Sequence, residues 1–199
     1  YYNLGFDYAG ENVVSKVLNL RGLGDVYSNL SNYSKSLEYY ERAKKLAARI
    51  KDIVTESSVD VSIGTLYYNI NKPIKALQIF LEAKEKIDSE SDPYSAQDIY
   101  FKIGLAYSAI DSLNKSNSAL STALNISESV SDVYYKTIIS TELGHNYFLQ
   151  KDFSKAESNI SRAMQLSKNN GFNQLVGLQN LYLGKIALAK NNLTDAIKY

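Results

Sequence analysis

The sequence predicts an all-α protein, a solenoid built from antiparallel helix pairs. Three observations predict this fold: glycines recur at a fixed period, other residue columns share that period, and turn-forming residues fall between them. The glycines stand 40 residues apart, at Gly24, Gly64, Gly104, Gly144 and Gly184. Such a period indicates supersecondary units that each bury an apolar face against their neighbours.

The other columns describe two helices in each repeat. A tyrosine follows the glycine by three residues at Tyr27, Tyr67, Tyr107 and Tyr147. Small, bulky and alanine columns come next: Ser36, Ala76, Ser116, Ala156 and Ala196; Tyr40, Phe80, Leu120 and Ile160; Ala43, Ala83, Ala123 and Ala163. Their offsets of four and three place them on one helix face. We therefore predict a helix A, with a Gly/Tyr face, packed on a helix B.

Turn and capping residues set the helix limits. Asn12, Asp52, Asp92 and Asp132 share one column and are suited to cap the start of helix A. Gly171 predicts that the preceding B helix ends at a residue with a left-handed backbone conformation. The predicted A helices cover 13–30, 53–70, 93–110, 132–150 and 172–190. The predicted B helices cover 33–50, 73–88, 113–129 and 153–168, and a last one begins near 193.

The columns resemble the tetratricopeptide repeat (TPR) family. The match is carried by Leu23-Gly24, Tyr27, Ser36, Tyr40 and Ala43, and again by Ile63-Gly64, Tyr67, Ala76, Phe80 and Ala83. Two features depart from the family. Its first-column Trp is replaced by Leu20, Asp60, Tyr100, Ser140 and Asn180, and the period is 40 instead of about 34 residues. The resemblance implies a right-handed superhelix, and the long repeats resemble sensory arrays of bacterial signalling proteins.

We expect one array over residues 1–199. It would start with the end of a preceding helix at 1–11, followed by repeats at about 12–51, 52–91, 92–131, 132–171 and 172–199, the last truncated. Because both ends fall inside the pattern, we expect the chain to be a segment of a longer protein.

Composition excludes several classes of site. The chain has no cysteine, one histidine and a net charge of +1. Disulfides and thiolate sites are therefore excluded, a zinc site is disfavoured, and no general attraction to nucleic acid is expected. No run of about 18 apolar residues predicts membrane insertion. We expect no metal, no cofactor and no catalytic residues in this segment, although a catalytic domain elsewhere in the parent chain fits the pattern.

In TPR proteins the inner surface is lined by helix A, at slots three residues before the glycine and one, four and five after it. The resemblance thus implies a partner groove at Arg21, Asp25, Asn29, Val61, Tyr68, Asn69, Phe101, Leu105, His145, Phe148 and Lys185. The groove is polar at its start and apolar from Tyr68 onward. A clamp for a C-terminal carboxylate is disfavoured, because only Arg21 and Lys185 carry positive charge there.

Several residues allow two interpretations. Phe101 and Phe148 either stand exposed in the groove or pack against lengthened neighbouring helices. His145 serves ordinary packing or a partner contact. One lysine recurs in each of four repeats, at Lys35, Lys75, Lys115 and Lys155. This column is more typical of a solvent-exposed outer face than of a surface that binds nucleic-acid phosphates. The tyrosine pairs, such as Tyr67-Tyr68, lack the surrounding basic residues that base stacking requires.

Two functions remain in competition. The first is a protein- or peptide-binding sensory module of a larger, bacterial signalling protein of the histidine kinase or diguanylate cyclase type. The alternative is a peptide-responsive TPR regulator that binds a short signalling peptide in its groove. Either function implies a protein or peptide partner, and either is compatible with a homodimer. The sequence does not distinguish a periplasmic from a cytoplasmic location.

Overall fold

The structure, a computed structural model, describes residues 13–199. Helices alternate along this part of the chain as A and B partners, and no strand occurs in it. The A helices are α1 (Val13–Asn29), α3 (Ile53–Asn69), α5 (Pro93–Ala109), α7 (Val133–Leu149) and α9 (Asn173–Ala189). The B helices are α2 (Tyr33–Ile50), α4 (Pro73–Lys84), α6 (Leu113–Ser129), α8 (Phe153–Asn170) and α10 (Leu193–Ala196).

The predicted all-α class and the consecutive packed helix pairs are confirmed. The expected helix end at 1–11 and the capping role of Asn12 lie outside the described residues. Asp52, Asp92 and Asp132 do cap their helices, since their carboxylates accept backbone N–H bonds from three residues later at 3.0–3.1 Å. Gly171 ends α8 with φ 72°, as predicted.

One helix boundary differs from the prediction by more than two residues. Helix α4 ends at Lys84, whereas the sequence predicted a helix to residue 88. Beyond that end Lys86 turns back toward α3, where its Nζ lies 2.8 Å from Asp60 Oδ2 and 2.6 Å from Glu56 Oε1. Lys44 Nζ pairs with the other Asp60 oxygen at 2.5 Å. Asp60 occupies the family's tryptophan slot and is buried, so its charge needs these partners.

The glycine column lies at close contacts between helix A and helix B. A Cβ added at Gly64 would come within 2.5 Å of the Phe80 ring, and at Gly104 within 2.6 Å of the Leu120 side chain. The alanine column is fully buried. The glycine therefore makes room for the bulky residue 16 positions later, which confirms the predicted A–B packing.

The tyrosine and lysine columns face each other at the rim of this packing. The lysines are exposed, as predicted, and their ammonium groups lie over the tyrosine rings of the preceding helix. The Nζ-to-centroid distance is 4.1 Å for Lys75 over Tyr67 and 5.1–5.7 Å for the other three pairs. In the fifth repeat both partners change together, to Ala187 and Asp195. This indicates a paired cation–π contact.

Contacts divide the chain into two compact units, one up to Lys102 and the other from Ile103, with the boundary inside α5. The first unit has a core around Tyr40, Ala43, Val59 and Leu66. The second contains a core cluster of α8 and α9 residues: Ala156, Ile160, Met164, Leu183 and Ile186. Within residues 13–199, no helix has both the length and the apolar character needed to cross a bilayer.

Candidate functional site

The first unit contains a groove of about 300 Å³ between α1, α3 and α5. We name it the polar groove, because most of its lining is polar: Asp25, Ser28, Asn29, Ser62, Thr65, Asn69, Asp98 and Lys102. Val61, Leu66 and Tyr40 complete the lining. Side chains on three successive A helices thus converge on one space, and it holds both hydrogen-bond donors and acceptors.

The repeat explains why these side chains meet. Val61, Thr65 and Asn69 lie on α3 at intervals of four residues, so they form one line along the helix. The opposite face of α3 carries Ile63 and Gly64, which are buried in the core. The packing of the glycine column therefore fixes the rotation of each A helix about its axis. With this rotation, Val61, Thr65 and Asn69 face the groove.

One wall of the polar groove is fixed by a buried hydrogen bond. Tyr40 Oη donates to Asp25 Oδ1 at 2.6 Å and so orients this carboxylate. Burial, together with this hydrogen bond to Asp25, raises the pKa of Tyr40 well above its usual value. The phenol therefore remains a donor at every physiological pH. Asp25 keeps its second carboxylate oxygen and its lone pairs for a ligand.

Two amide side chains in the groove remain open to a ligand. Asn29 and Asn69 are exposed, and neither side chain makes a hydrogen bond with any residue between 13 and 199. Thr65 differs, because its hydroxyl donates to the Val61 carbonyl at 2.9 Å within α3. Each amide therefore offers two N–H donors and one carbonyl acceptor, which suit the C=O and the N–H of a main-chain amide.

The structure brings together four of the predicted groove residues: Asp25, Asn29, Val61 and Asn69. Arg21 and Tyr68 are half-buried residues of the same unit and do not line this groove. The polar character that the sequence predicted for the start of the groove is present. Whether these residues bind a partner stays a prediction.

The expected exposure of Phe101 is wrong. Its side chain is only 8% exposed and forms part of the core. Phe148 is half-buried and packs on the α8–α9 core, with its ring centroid 5.9 Å from that of Phe153. Phe101 is therefore buried and does not stand exposed in a groove, and Phe148 packs in part against the neighbouring helices α8 and α9.

Contacts between successive A helices supply the physical reason. Ser108 Oγ donates to Asn146 at 2.8 Å, and Gln179 Nε2 donates to Thr141 Oγ1 at 3.1 Å. In each pair, the earlier helix contributes a residue from the slot three before or four after the glycine. These slots therefore contact the next A helix. Phe148 occupies one of these two slots within the second unit.

The second unit places His145 beside a group of titratable side chains, which we name the Glu142 cluster: Glu142, His145, Tyr182 and Lys185. The His145 and Tyr182 rings stack with centroids 4.7 Å apart. Burial raises the pKa of Glu142 to about 7, and burial with the nearby Glu142 charge raises that of Tyr182 to about 12. Burial and the Lys185 charge lower the pKa of His145.

Two further residues predicted for the groove lie in the second unit. Leu105 is half-buried, and Lys185 is exposed.

Sequence reasoning missed several groove residues, including Ser62, Asp98 and Lys102. Ser62 and Lys102 share the slot two before the glycine, and Asp98 lies one helical turn before Lys102. This slot is adjacent to the predicted one, so a wider line of slots on helix A would have found them. Tyr40 was assigned to the core, where its ring lies, and only its hydroxyl reaches the groove.

Comparison with known proteins identifies the fold. The sequence profile of the tetratricopeptide repeat family matches residues 22–49. No curated protein matches the chain. The crystal structure of BtubC (BKLC) from P. vanneervenii superposes with a TM-score of 0.83 at 15% identity, covering 98% of this chain and 81% of that one.

Two further structures are similar. A Signal Transduction ATPase with Numerous Domains (STAND) protein with a tetratricopeptide repeat sensor, from Pyrococcus horikoshii, has a TM-score of 0.81 and 22% identity, with 94% of this chain and 29% of that one covered. A Rap protein complexed with Competence and Sporulation Factor has a TM-score of 0.76 and 14% identity, with 95% and 52% covered. The chain thus spans about half of the Rap protein and less than a third of the STAND protein. These likenesses confirm the TPR-like fold.

Proposed function

We propose that this chain, a tetratricopeptide repeat protein by its matched segment and its fold, is a protein- or peptide-binding module of a larger bacterial signalling protein. The observation that carries the proposal is the polar groove, where three A helices direct donors and acceptors into about 300 Å³. A space of this size lies at the lower end of small-ligand sites. It accommodates a short stretch of a longer ligand.

The chemistry of the groove favours a peptide main chain. Each peptide unit presents one N–H donor and one C=O acceptor, and both must be paired when they leave water. The open amides of Asn29 and Asn69 satisfy these two needs without selecting a side chain. Asp25, Asp98 and Lys102 add charges of both signs, so they can select the flanking residues of the ligand.

The parent protein is proposed to be a histidine kinase or diguanylate cyclase in which this segment is the non-catalytic sensor. The second candidate is a peptide-responsive regulator. The open groove amides and the likeness in fold to the Rap protein complexed with Competence and Sporulation Factor favour it. Sequencing of the parent gene separates the two: a downstream catalytic domain supports the first, and an upstream helix-turn-helix domain supports the second. The absence of nucleic-acid binding and the homodimer stay predictions.

The binding proposal is tested by selecting peptides from a random nonamer display library on the immobilised chain, followed by calorimetric titration of the selected peptides. We expect Asn69→Ala to weaken binding about tenfold, because it removes main-chain hydrogen bonds worth about 0.5–1.5 kcal/mol each. The matched control is Asn125→Ala, which truncates an exposed asparagine on the B helix α6. Failure to select any peptide, or equal affinity of both variants and the parent, would overturn the proposal.

A further inference from the structure

Glu142 on α7 is a carboxylate without a partner. It is half-buried, yet no hydrogen bond or ion pair joins it to any residue that the structure describes. The carboxylate of Asp60, by contrast, is buried and has two lysine partners at 2.5–2.8 Å. A buried anion is costly unless it is paired. Glu142 therefore differs from Asp60, whose charge is neutralised by ion pairs within the fold.

The repeat position of Glu142 indicates where its side chain points. It occupies the slot two residues before the glycine, which in the first unit holds Ser62 and Lys102. Both of these line the polar groove. Tyr182 holds the same slot on α9, and its ring stacks at 4.7 Å on that of His145, which lies one helical turn after Glu142. Glu142 and Tyr182 thus lie on the surface of the second unit that corresponds to the polar groove.

The Glu142 cluster has the chemistry of a cation site. The carboxylate supplies the charge, and the Tyr182 ring supplies a face that attracts cations. The ring already does so within the chain, since Lys185 Nζ lies 5.9 Å from its centroid. Lys185 is exposed and makes no ion pair with Glu142, so it leaves the carboxylate open. His145 stacks on the same ring and keeps it in place.

We propose that Glu142 and Tyr182 bind the side chain of a lysine or arginine residue of the partner. The proposal rests on the proposed function, because it assumes a peptide or protein ligand, and it names one residue type that the ligand must contain. The carboxylate pairs with the ammonium or guanidinium group, and the apolar stem of that side chain lies along the tyrosine ring. Lys185 competes for the ring and is displaced.

The test uses N-acetyl-argininamide as the probe and the single histidine of the chain as the reporter. His145 gives one isolated Cε1–Hε1 signal, and it stacks on Tyr182. At pH 8, where Glu142 is ionised, we expect a saturable shift of this signal at millimolar probe, as suits a ligand of this size. The neutral isostere N-acetyl-citrullinamide should leave the signal in place.

Two variants sharpen the test. Glu142→Gln should weaken probe binding about tenfold or more, because the charge is lost while the shape is kept. Lys185→Met should tighten it severalfold, because it removes the competing cation. Glu41→Gln, on an exposed part of α2, is the control and should bind like the parent. A shift of equal size with the citrulline compound, unchanged binding in Glu142→Gln, or no shift at all would overturn the proposal.

The titration is independent of the peptide selection. If no peptide is selected but the probe shifts His145, the proposed function fails and the cation site stands. If peptides bind the polar groove while the probe leaves His145 unmoved, the cation site fails and the proposed function stands.

Discussion

The two units place different side chains at equivalent repeat positions. In the first unit, the slots two before and five after the glycine hold Ser62, Lys102, Asn29 and Asn69, and they form a polar groove. In the second unit the slot two before the glycine holds Glu142 and Tyr182, and the slot five after it holds residues such as Leu149, which is 46% exposed. The comparison shows that the columns facing the core are kept between the two units, while the residues in the other slots differ.

The largest expected effect tests which slots belong to the scaffold. Phe101→Ala should destabilise the protein by about 3–5 kcal/mol, because the side chain is 8% exposed and its removal leaves a cavity. The control is Tyr94→Ala on the same helix, where the ring is 61% exposed and little stability should be lost. Chemical denaturation measures both. A Phe101→Ala variant as stable as the control would return this residue to the groove.

The next effect concerns Glu142. Its pKa is about 7 in the folded protein and 4.5 ordinarily, so the unfolded chain releases the proton first as pH rises. The parent therefore loses stability between pH 4.5 and pH 7, by on the order of 3 kcal/mol in total. Glu142→Gln has no proton to lose. Its free energy of unfolding should be close to that of the parent at about pH 4 and exceed it at about pH 8.5, and a difference that does not change with pH would contradict this account.

A smaller effect compares two glycines of the same column. Gly64→Ala should cost about 1–3 kcal/mol, since its Cβ would lie 2.5 Å from the Phe80 ring. At Gly184 the nearest atom is Tyr199 Cβ, at 3.7 Å. Gly184→Ala should therefore stabilise the helix, by about 0.5–1 kcal/mol. Thermal melting of the two variants gives the signs, and equal shifts would show that the column is not defined by close contact with helix B.

The smallest effect concerns the paired tyrosine and lysine columns. Lys75→Met should cost about 0.5–1 kcal/mol, because its ammonium group lies 4.1 Å from the Tyr67 centroid at an exposed site. Lys45→Met, on an exposed position of α2, should be close to neutral. A double-mutant cycle with Tyr67→Leu isolates the interaction. A coupling energy of zero would mean that the lysine column serves solubility alone.

The fold was predictable because its determinants are periodic and local. The glycine column, the capping aspartates and the helix limits follow from steric contact and from unpaired backbone N–H groups, which depend on nearby residues. The end of α4 was missed because Lys86 leaves the helix for Asp60 and Glu56, 26 and 30 residues earlier. Ion pairs at that separation leave no periodic signal.

The site was only partly predictable for a similar reason. The slots on helix A led to Asp25, Asn29, Val61 and Asn69, but they could not distinguish Phe101, which is buried. That distinction depends on tertiary packing, which the repeat pattern does not specify. Whether Glu142 is paired likewise depends on which lysine side chains reach it in the folded protein. The sequence contains many lysines, so it did not indicate that Glu142 has no ion-pair partner among the described residues.

The central claim is that the polar groove is the ligand-binding surface of the first unit. The most direct measurement is an NMR titration of the labelled protein with a selected peptide, observing the side-chain amide signals of Asn29 and Asn69. We expect these signals and those of Thr65 and Lys102 to shift together and to saturate at one peptide per chain. Shifts confined to the exposed lysine column, at Lys35 and Lys75, would contradict the claim.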